Sequence, residues 1–200
     1  MSGNVRRDKF ILFGGVTTDR LVTSNCDGSS ATDGTSGRDN PNGLLFCDSV
    51  RATSGQPAGV FRTAVKASAA YSFPYDIQVS GSFTSIPGPA VAANYTVTSA
   101  IAGRPIIGAT TGAASVVMNL VQPNSLFLDY QNRLDVRFGK TFRFNTVKVQ
   151  GFADVFNLLN AGTVLSVNQT YGAVPATNAW MTPLTIMDGR YIRFGLQINF

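Results

Sequence analysis

The chain closes with Arg190-Tyr-Ile-Arg-Phe-Gly-Leu-Gln-Ile-Asn-Phe200, a stretch in which apolar and polar residues alternate almost without exception. Successive side chains of a β-strand point to opposite faces, so this stretch predicts a strand with one apolar and one polar face. The apolar face carries Ile192, Phe194, Leu196, Ile198 and Phe200, and the polar face carries Tyr191, Arg193, Gly195, Gln197 and Asn199. The pattern predicts a β-sheet and leaves open what covers its apolar face.

Two classes of sheet protein show this alternation. A soluble sheet packs its apolar face against a core and leaves its polar face in water. A membrane barrel is inverted, because its apolar residues face lipid and its polar residues line the lumen. Whether a protein core or lipid covers the apolar face therefore decides between two different classes of function.

The composition favours the membrane barrel. Only 14% of the residues are charged, against roughly a quarter in typical soluble domains. The chain has no apolar run of about eighteen residues, which excludes a transmembrane helix but allows barrel strands, whose signal is weaker. The first nine residues are not followed by the apolar segment of a secretory signal peptide. Because an outer-membrane barrel must be exported, we expect the chain to be an incomplete part of a longer protein.

Several other function classes are disfavoured. The chain has no histidine, which argues against histidine-based catalysis and zinc sites, so we expect neither enzyme activity nor a cofactor. The net charge of +5 comes from scattered basic residues, and this pattern does not predict nucleic-acid binding.

Cys26 and Cys47 flank a polar, glycine-rich segment. They could form one disulfide in an oxidising compartment or remain two thiols.

The alternating pattern recurs along the chain. Six strands are predicted at about 8–24, 59–73, 76–87, 127–143, 147–160 and 189–200. Tight turns at Pro74-Tyr75 and Asn145-Thr146 join two pairs of them, whereas the connections at about 25–58, 88–126 and 161–188 are long. Short turns at one end and long loops at the other are typical of outer-membrane barrels and uncommon in compact soluble domains. The sequence therefore predicts an all-β fold, an antiparallel transmembrane β-barrel segment.

Two motifs carry a family resemblance. Arg193-x-Gly195-x-x-Ile198-x-Phe200 resembles the C-terminal insertion signal of outer-membrane barrels, which the barrel-assembly machinery reads. Asp154-Val-Phe-Asn-Leu-Leu-Asn160 resembles the penultimate-strand motif of TonB-dependent receptors. Other stretches are similar to the acidobacterial, Oar-like branch with carboxypeptidase-regulatory-like domains, namely Asn160-Ala-Gly-Thr-Val-Leu165, Asn168-Gln-Thr-Tyr-Gly172, Gly15-Val-Thr-Thr-Asp-Arg20 and Asn40-Pro-Asn-Gly-Leu-Leu-Phe-Cys-Asp48.

The resemblance implies a barrel of about twenty-two strands, closed by an internal plug, that imports a bulky nutrient with energy supplied through TonB. Residues 1–200 have room for about six such strands, so we expect them to be the C-terminal portion of a transporter, with Met1 an internal start or the product of a truncated gene model. The implied location is the cell outer membrane. The implied partners are outer-membrane lipid, the barrel-assembly machinery and, through regions outside this chain, the TonB complex.

Candidate functional residues follow from the same prediction. Charged residues expected to face the lumen, paired or simply hydrated, are Asp135, Arg137, Arg143, Asp154 and Arg193. In the first long connection, a cation or polar ligand could bind Asp27, Asp33, Arg38, Asp39 and Asp48, although a solvated loop is the favoured interpretation. Tyr130, Tyr171 and Trp180 could stack on sugars, but an interfacial aromatic girdle is favoured.

Two alternative functions remain open. The first is a secreted β-sandwich adhesin or carbohydrate-binding module, which would be soluble without detergent. The second is a small complete outer-membrane barrel, which would need further strands from residues 90–122. There, 94–98 and 114–120 are short enough to form a hairpin within a loop.

Overall fold

The computed structural model describes residues 1–21, 60–103, 115–172 and 179–200, which form an all-β, antiparallel structure. The elements are β1 Ser2–Arg7, β2 Phe10–Asp19, β3 Arg62–Phe73, β4 Ile77–Ile86, β5 Asn94–Thr98, α1 Ser99–Ala102, β6 Ser115–Asn119, β7 Gln131–Phe144, β8 Val147–Phe156, β9 Val164–Val167, β10 Pro183–Ile186 and β11 Tyr191–Asn199. Seven strands form the main sheet in the order β1-β2-β3-β4-β7-β8-β11, and β5 with β6 and β9 with β10 form two small sheets. Within the described residues, no helix is long and apolar enough to cross a membrane.

The main sheet has two chemically distinct faces. Residues paired directly across neighbouring strands share a face, and one such row contains Arg6, Ile11, Ala70, Ser80, Arg137, Asp154 and Arg193. The adjacent row contains Val5, Leu12, Ala69, Gly81, Val136, Val155 and Ile192. We call the side that carries Arg193 the polar face and the side that carries Ile192 the apolar face. The apolar sides of the alternating strands are thus aligned across the sheet, although β2 places Ile11 and Phe13 on the polar face.

Tight turns lie at one end of the main sheet. They join β1 to β2, β3 to β4 and β7 to β8, and residues in these turns adopt the left-handed conformation, including Asp8 (φ 47°), Asp76 (φ 57°) and Asn145 (φ 51°). Aspartate and asparagine tolerate this conformation better than most residues. The end of β11 lies beside the β7–β8 turn, because Asn199 pairs with Lys148. The predicted asymmetry of short turns and long connections is confirmed, with Phe200 at the tight-turn end.

The main sheet has seven strands, one more than the six predicted. Each of the six predicted strands overlaps a strand of the main sheet, but β1 was not predicted. Its sequence, Ser-Gly-Asn-Val-Arg-Arg, has no apolar alternation, so backbone pairing to β2 holds it in place. The first strand also begins later than predicted, because Asp8 and Lys9 form the β1–β2 turn.

The long connections contain structure of their own. The hairpin predicted from 94–98 and 114–120 is confirmed as β5 and β6, whereas β9 and β10 were not predicted. The amide of Asn94 donates to the carbonyl of Gln169 at 2.7 Å, and the amide of Tyr171 donates to the carbonyl of Asn94 at 2.8 Å. We call β5, β6, β9 and β10, together with residues 88–93, 168–172 and 179–182, the connection layer.

Buried apolar side chains lie in the connection layer and not on the main sheet. Among the described residues, the buried hydrophobic ones are Val91, Ala93 and Val167. The apolar face of the main sheet is open, and its exposed large side chains include Val5, Leu12, Val16, Tyr71, Phe73, Phe138, Phe142, Phe144, Ile192, Phe194, Leu196 and Ile198. A β-sandwich would bury such a face against a second sheet, and no second sheet of the described chain does so.

The polar face is the concave side of the main sheet. A cavity of about 360 Å³ on this side is lined by residues from β2 to β11, among them Phe13, Ser80, Arg137 and Arg193. Strands this far apart in the sheet order line one cavity when the sheet curves toward it. A second cavity, of about 510 Å³, lies between the polar face and β10 and also has Asp135 in its lining. The linings of the two cavities share Asp135 and Phe156.

Candidate functional site

One buried carboxylate joins the last three strands of the main sheet. Asp154 on β8 lies between Arg137 on β7 and Arg193 on β11, because the register pairs it directly with both. Arg137 donates to it through Nε at 2.5 Å and Nη2 at 2.9 Å, and Arg193 donates through Nε at 3.2 Å and Nη2 at 2.7 Å. The Asp154 side chain is 5% exposed, whereas those of the two arginines are 51% and 58% exposed. Two cations therefore share one anion.

Two phenylalanines lie beside this carboxylate. Phe152 and Phe156 flank Asp154 on the polar face of β8. The guanidinium carbon of Arg137 lies 4.6 Å from the centre of the Phe152 ring, and that of Arg193 lies 5.1 Å from the centre of the Phe156 ring. Each arginine is thus held by a carboxylate and by an aromatic ring, which fixes its position.

The other predicted lumen residues also lie on the polar face but in separate pairs. Asp135 binds Arg133 on its own strand and accepts a hydrogen bond from the amide of Asn157 at 2.9 Å. Arg143 lies at the tight-turn end and donates to Asp76 at 2.7 Å. The structure therefore brings Arg137 and Arg193 together, places Asp135 near them, and leaves Arg143 apart. Whether a lumen lies over this face stays a prediction.

The four residues of the predicted insertion signal divide between the two faces. Arg193 and Gly195 lie on the polar face, whereas Ile198 and Phe200 follow the apolar side of β11 and are exposed. Gly195 is paired directly with Phe152. A Cβ atom on Gly195 would overlap the Phe152 ring, so the ring occupies the space that this glycine leaves open.

Replacing Gly195 with alanine is expected to destabilise the sheet by about 1–3 kcal/mol, the usual cost of overpacking. The added methyl would push the Phe152 ring away from Arg137. Gly151→Ala is a matched control, because its Cβ would meet only the Leu196 Cδ1 atom at 4.0 Å. Urea unfolding followed by circular dichroism measures both. In a Phe152→Ala background, Gly195→Ala should lose most of its destabilising effect. Equal losses of stability for Gly195→Ala and Gly151→Ala would contradict this role of the Phe152 ring.

The penultimate-strand motif closes the base of the last connection. Asn157 is 3% exposed and has φ 49°. Its side-chain amide donates to the carbonyls of Ala161 and Asp188, and its Oδ1 accepts from the amide of Ala161 at 3.0 Å. Asn160, with φ 51°, accepts through Oδ1 from the amide of Arg190 at 3.0 Å. The two asparagines therefore tie the exit of β8 to the entry of β11.

Asn157 offers a test that separates hydrogen bonding from backbone conformation. Asn157→Gly keeps the left-handed conformation without strain but loses the side-chain hydrogen bonds, whereas Asn157→Ala loses both. We expect losses in unfolding free energy of about 1–3 kcal/mol for glycine and about 1 kcal/mol more for alanine. Chemical unfolding of the two variants measures this order. If Asn157→Gly is as stable as the unaltered protein, the side chain does not hold this connection.

Two of the three candidate aromatic residues pack within the connection layer. Tyr171 and Trp180 lie edge to face with ring centres 5.8 Å apart, and the indole N–H of Trp180 donates to the carbonyl of Ala92 at 2.9 Å. Tyr130 instead accepts from the amide of Thr63 at 3.3 Å, at the end of the main sheet opposite the tight turns. Tyr171 and Trp180 therefore stabilise the packing between connections, a role that the girdle interpretation did not include.

The remaining candidates of the first long connection lie outside the described residues. These are Cys26, Cys47, Asp27, Asp33, Arg38, Asp39 and Asp48. In the part of the chain that the structure describes, no group of three or more potential ligands is placed to hold a metal ion.

Comparison with protein-family models, curated proteins and solved structures finds no match to this chain.

Proposed function

We propose that the chain forms part of the barrel wall of an outer-membrane TonB-dependent transporter, and that the connection layer forms part of its extracellular mouth. The observation that carries the proposal is the open apolar face, which extends over all seven strands of the main sheet opposite a concave face with paired charges. Soluble monomers rarely expose a continuous apolar surface of more than a few hundred Å². Lipid is the covering that matches this arrangement of faces.

Aromatic residues at the tight-turn end support a membrane boundary there. Tyr71 and Phe73 form an edge-to-face pair with ring centres 4.6 Å apart, and Phe142 and Phe144 are stacked at 6.5 Å, all on the apolar face. Lys140 is on the same face, with its Nζ 5.3 Å from the centre of the Phe142 ring. Aromatic side chains and snorkelling lysines are favoured where acyl chains meet headgroups. Since bacterial barrels place short turns on the periplasmic side, we assign this end to the periplasm.

The edges of the main sheet support a larger barrel. In the described residues, β1 pairs only with β2 and β11 only with β8, so each presents an open edge. Unpaired backbone groups are very unfavourable in hydrocarbon, so each edge must pair in a bilayer, either with further strands or with the other edge. The proposed transporter supplies further strands. We assign those strands to the rest of a transporter barrel because the motif at Asp154–Asn160 resembles that of TonB-dependent receptors.

Refolding with and without detergent tests the proposal. We expect the chain to acquire β-structure in detergent micelles and to aggregate in detergent-free buffer, because the apolar face needs an apolar covering. A folded, monodisperse monomer in detergent-free buffer would contradict the membrane assignment and favour a sandwich. A monomer in detergent whose two edge strands are paired with each other would favour a small complete barrel.

Assembly in cells tests the role of Phe200. With an export signal supplied, Phe200→Asp is expected to abolish recovery of the protein in the outer-membrane fraction, because a charge would replace the terminal aromatic residue of the insertion signal. Asn199→Asp is the matched control, since Asn199 lies on the polar face and should tolerate the same charge. Equal recovery of the two variants would remove Phe200 from the signal.

A further inference from the structure

Charge on the polar face is unbalanced. In the described strands, eight cationic side chains occupy polar-face positions: Arg6, Arg62, Lys66, Arg133, Arg137, Arg143, Lys148 and Arg193. Three carboxylates share this face, namely Asp19, Asp135 and Asp154, and Asp76 in a turn pairs with Arg143. A concave surface with this excess of positive charge concentrates anions.

The excess positive charge is held in the most defined geometry around Asp154. Each guanidinium group has five N–H donors, and Arg137 and Arg193 each use only Nε and Nη2 to bind this carboxylate. The Nη1 groups have no partner among the described residues. Because the bidentate bonds and the phenylalanine rings already fix both arginines, a ligand would lose little entropy in ordering them.

Small hydroxyl residues line the cavity beside these arginines. Ser80 is paired directly with Arg137, Ser82 with Asp135, and Ser68 with Ser82. All three serines line the cavity of about 360 Å³ that also contains Arg137 and Arg193. Within the described part of the chain, their hydroxyl groups form no hydrogen bond with another residue. The cavity therefore offers unused donors next to unbalanced cations.

We propose that this cavity binds an oxyanion, the carboxylate or phosphate group of a small anionic solute, between Arg137, Arg193 and the serine hydroxyls. Guanidinium N–H groups and hydroxyls are suitable donors for such oxygens. As a binding site, the cavity does not depend on a membrane. As a statement about the transported solute, the inference rests on the proposed function and predicts a nutrient with an acidic group.

Titration of the refolded chain with inorganic phosphate and with citrate tests the site, at an ionic strength held constant with chloride. The readout is the ¹⁵N chemical shift of the arginine Nε groups. We expect saturable shifts of Arg137 and Arg193, and Arg193→Gln should weaken binding by about tenfold or more. Arg143→Gln, which removes a cation from the same face, should change the affinity by no more than about twofold, because its charge is distant and screened.

Ser80→Ala provides a second variant that keeps the bonds of both arginines to Asp154. It removes a hydroxyl donor beside Arg137, so anion affinity should fall. Absence of saturable shifts, equal weakening by Arg193→Gln and Arg143→Gln, or unchanged affinity in Ser80→Ala would overturn the site. Saturation by phosphate alone or citrate alone identifies which oxyanion fits. If the chain folds without detergent, the titration is run in buffer, so failure of the membrane proposal and failure of the site remain distinguishable.

Discussion

Replacing Asp154 with alanine is expected to destabilise the main sheet by about 2–3 kcal/mol and to weaken the contacts between β7, β8 and β11. Removing one partner of a buried ion pair costs about 3–5 kcal/mol. The expected loss of stability lies at or below the lower end of that range, because about half of each arginine side chain is exposed. Without Asp154, the two guanidinium groups would also repel each other across a short distance. Chemical unfolding in the medium that supports the fold measures the loss.

The arginine partners supply the matched control for this prediction. Because each arginine alone makes two hydrogen bonds to Asp154, Arg137→Gln or Arg193→Gln alone should cost less than Asp154→Ala. The double variant should lose more stability than the sum of the two single losses, because it leaves a buried carboxylate without a cation. Strict additivity would mean that the three side chains do not act as a unit.

Replacing Phe194 with arginine is expected to have an effect of similar size for a different reason. Phe194 is 79% exposed on the apolar face near the middle of β11. An arginine facing the bilayer midplane costs about 2–4 kcal/mol, whereas a surface substitution in water usually changes stability by about 0.5 kcal/mol or less. The size of the stability loss for Phe194→Arg therefore shows whether lipid or water surrounds this side chain.

Gln197→Arg is the matched control, since Gln197 lies on the opposite face of the same strand. Unfolding in lipid vesicles should show a large loss for Phe194→Arg and a small change for Gln197→Arg. Similar small changes for both variants would indicate that both faces of β11 are in water, as expected for a soluble protein.

The two faces of β3, β4, β7 and β11 were predictable because alternation within a strand is a local property. The pairing of Arg137 with Asp154 was also within reach of the sequence. The two-residue turn Asn145-Thr146 sets the register of β7 on β8, and counting back from it makes these residues neighbours.

Other contacts depend on information that is not local. Arg193 follows the long connection between β8 and β11, whose length does not set a register, so its bonds to Asp154 could not be deduced. The roles of Phe152 and Gly195 depend on the same pairing. The packing of the connection layer was missed, apart from its β5–β6 hairpin. Val91, Ala93 and Val167 lie in short apolar runs without the alternation of the main strands, and only their burial distinguishes them.

Tryptophan quenching by brominated lipid tests the central claim, that the apolar face of the main sheet contacts lipid. Leu196 and Gln197 are consecutive residues on opposite faces of β11, so Leu196→Trp and Gln197→Trp report on the two sides at the same depth, over an identical background from Trp180. In vesicles with brominated acyl chains, the fluorescence at position 196 should be strongly quenched and that at position 197 should not. Equal quenching at the two positions, or none at 196, would contradict the account.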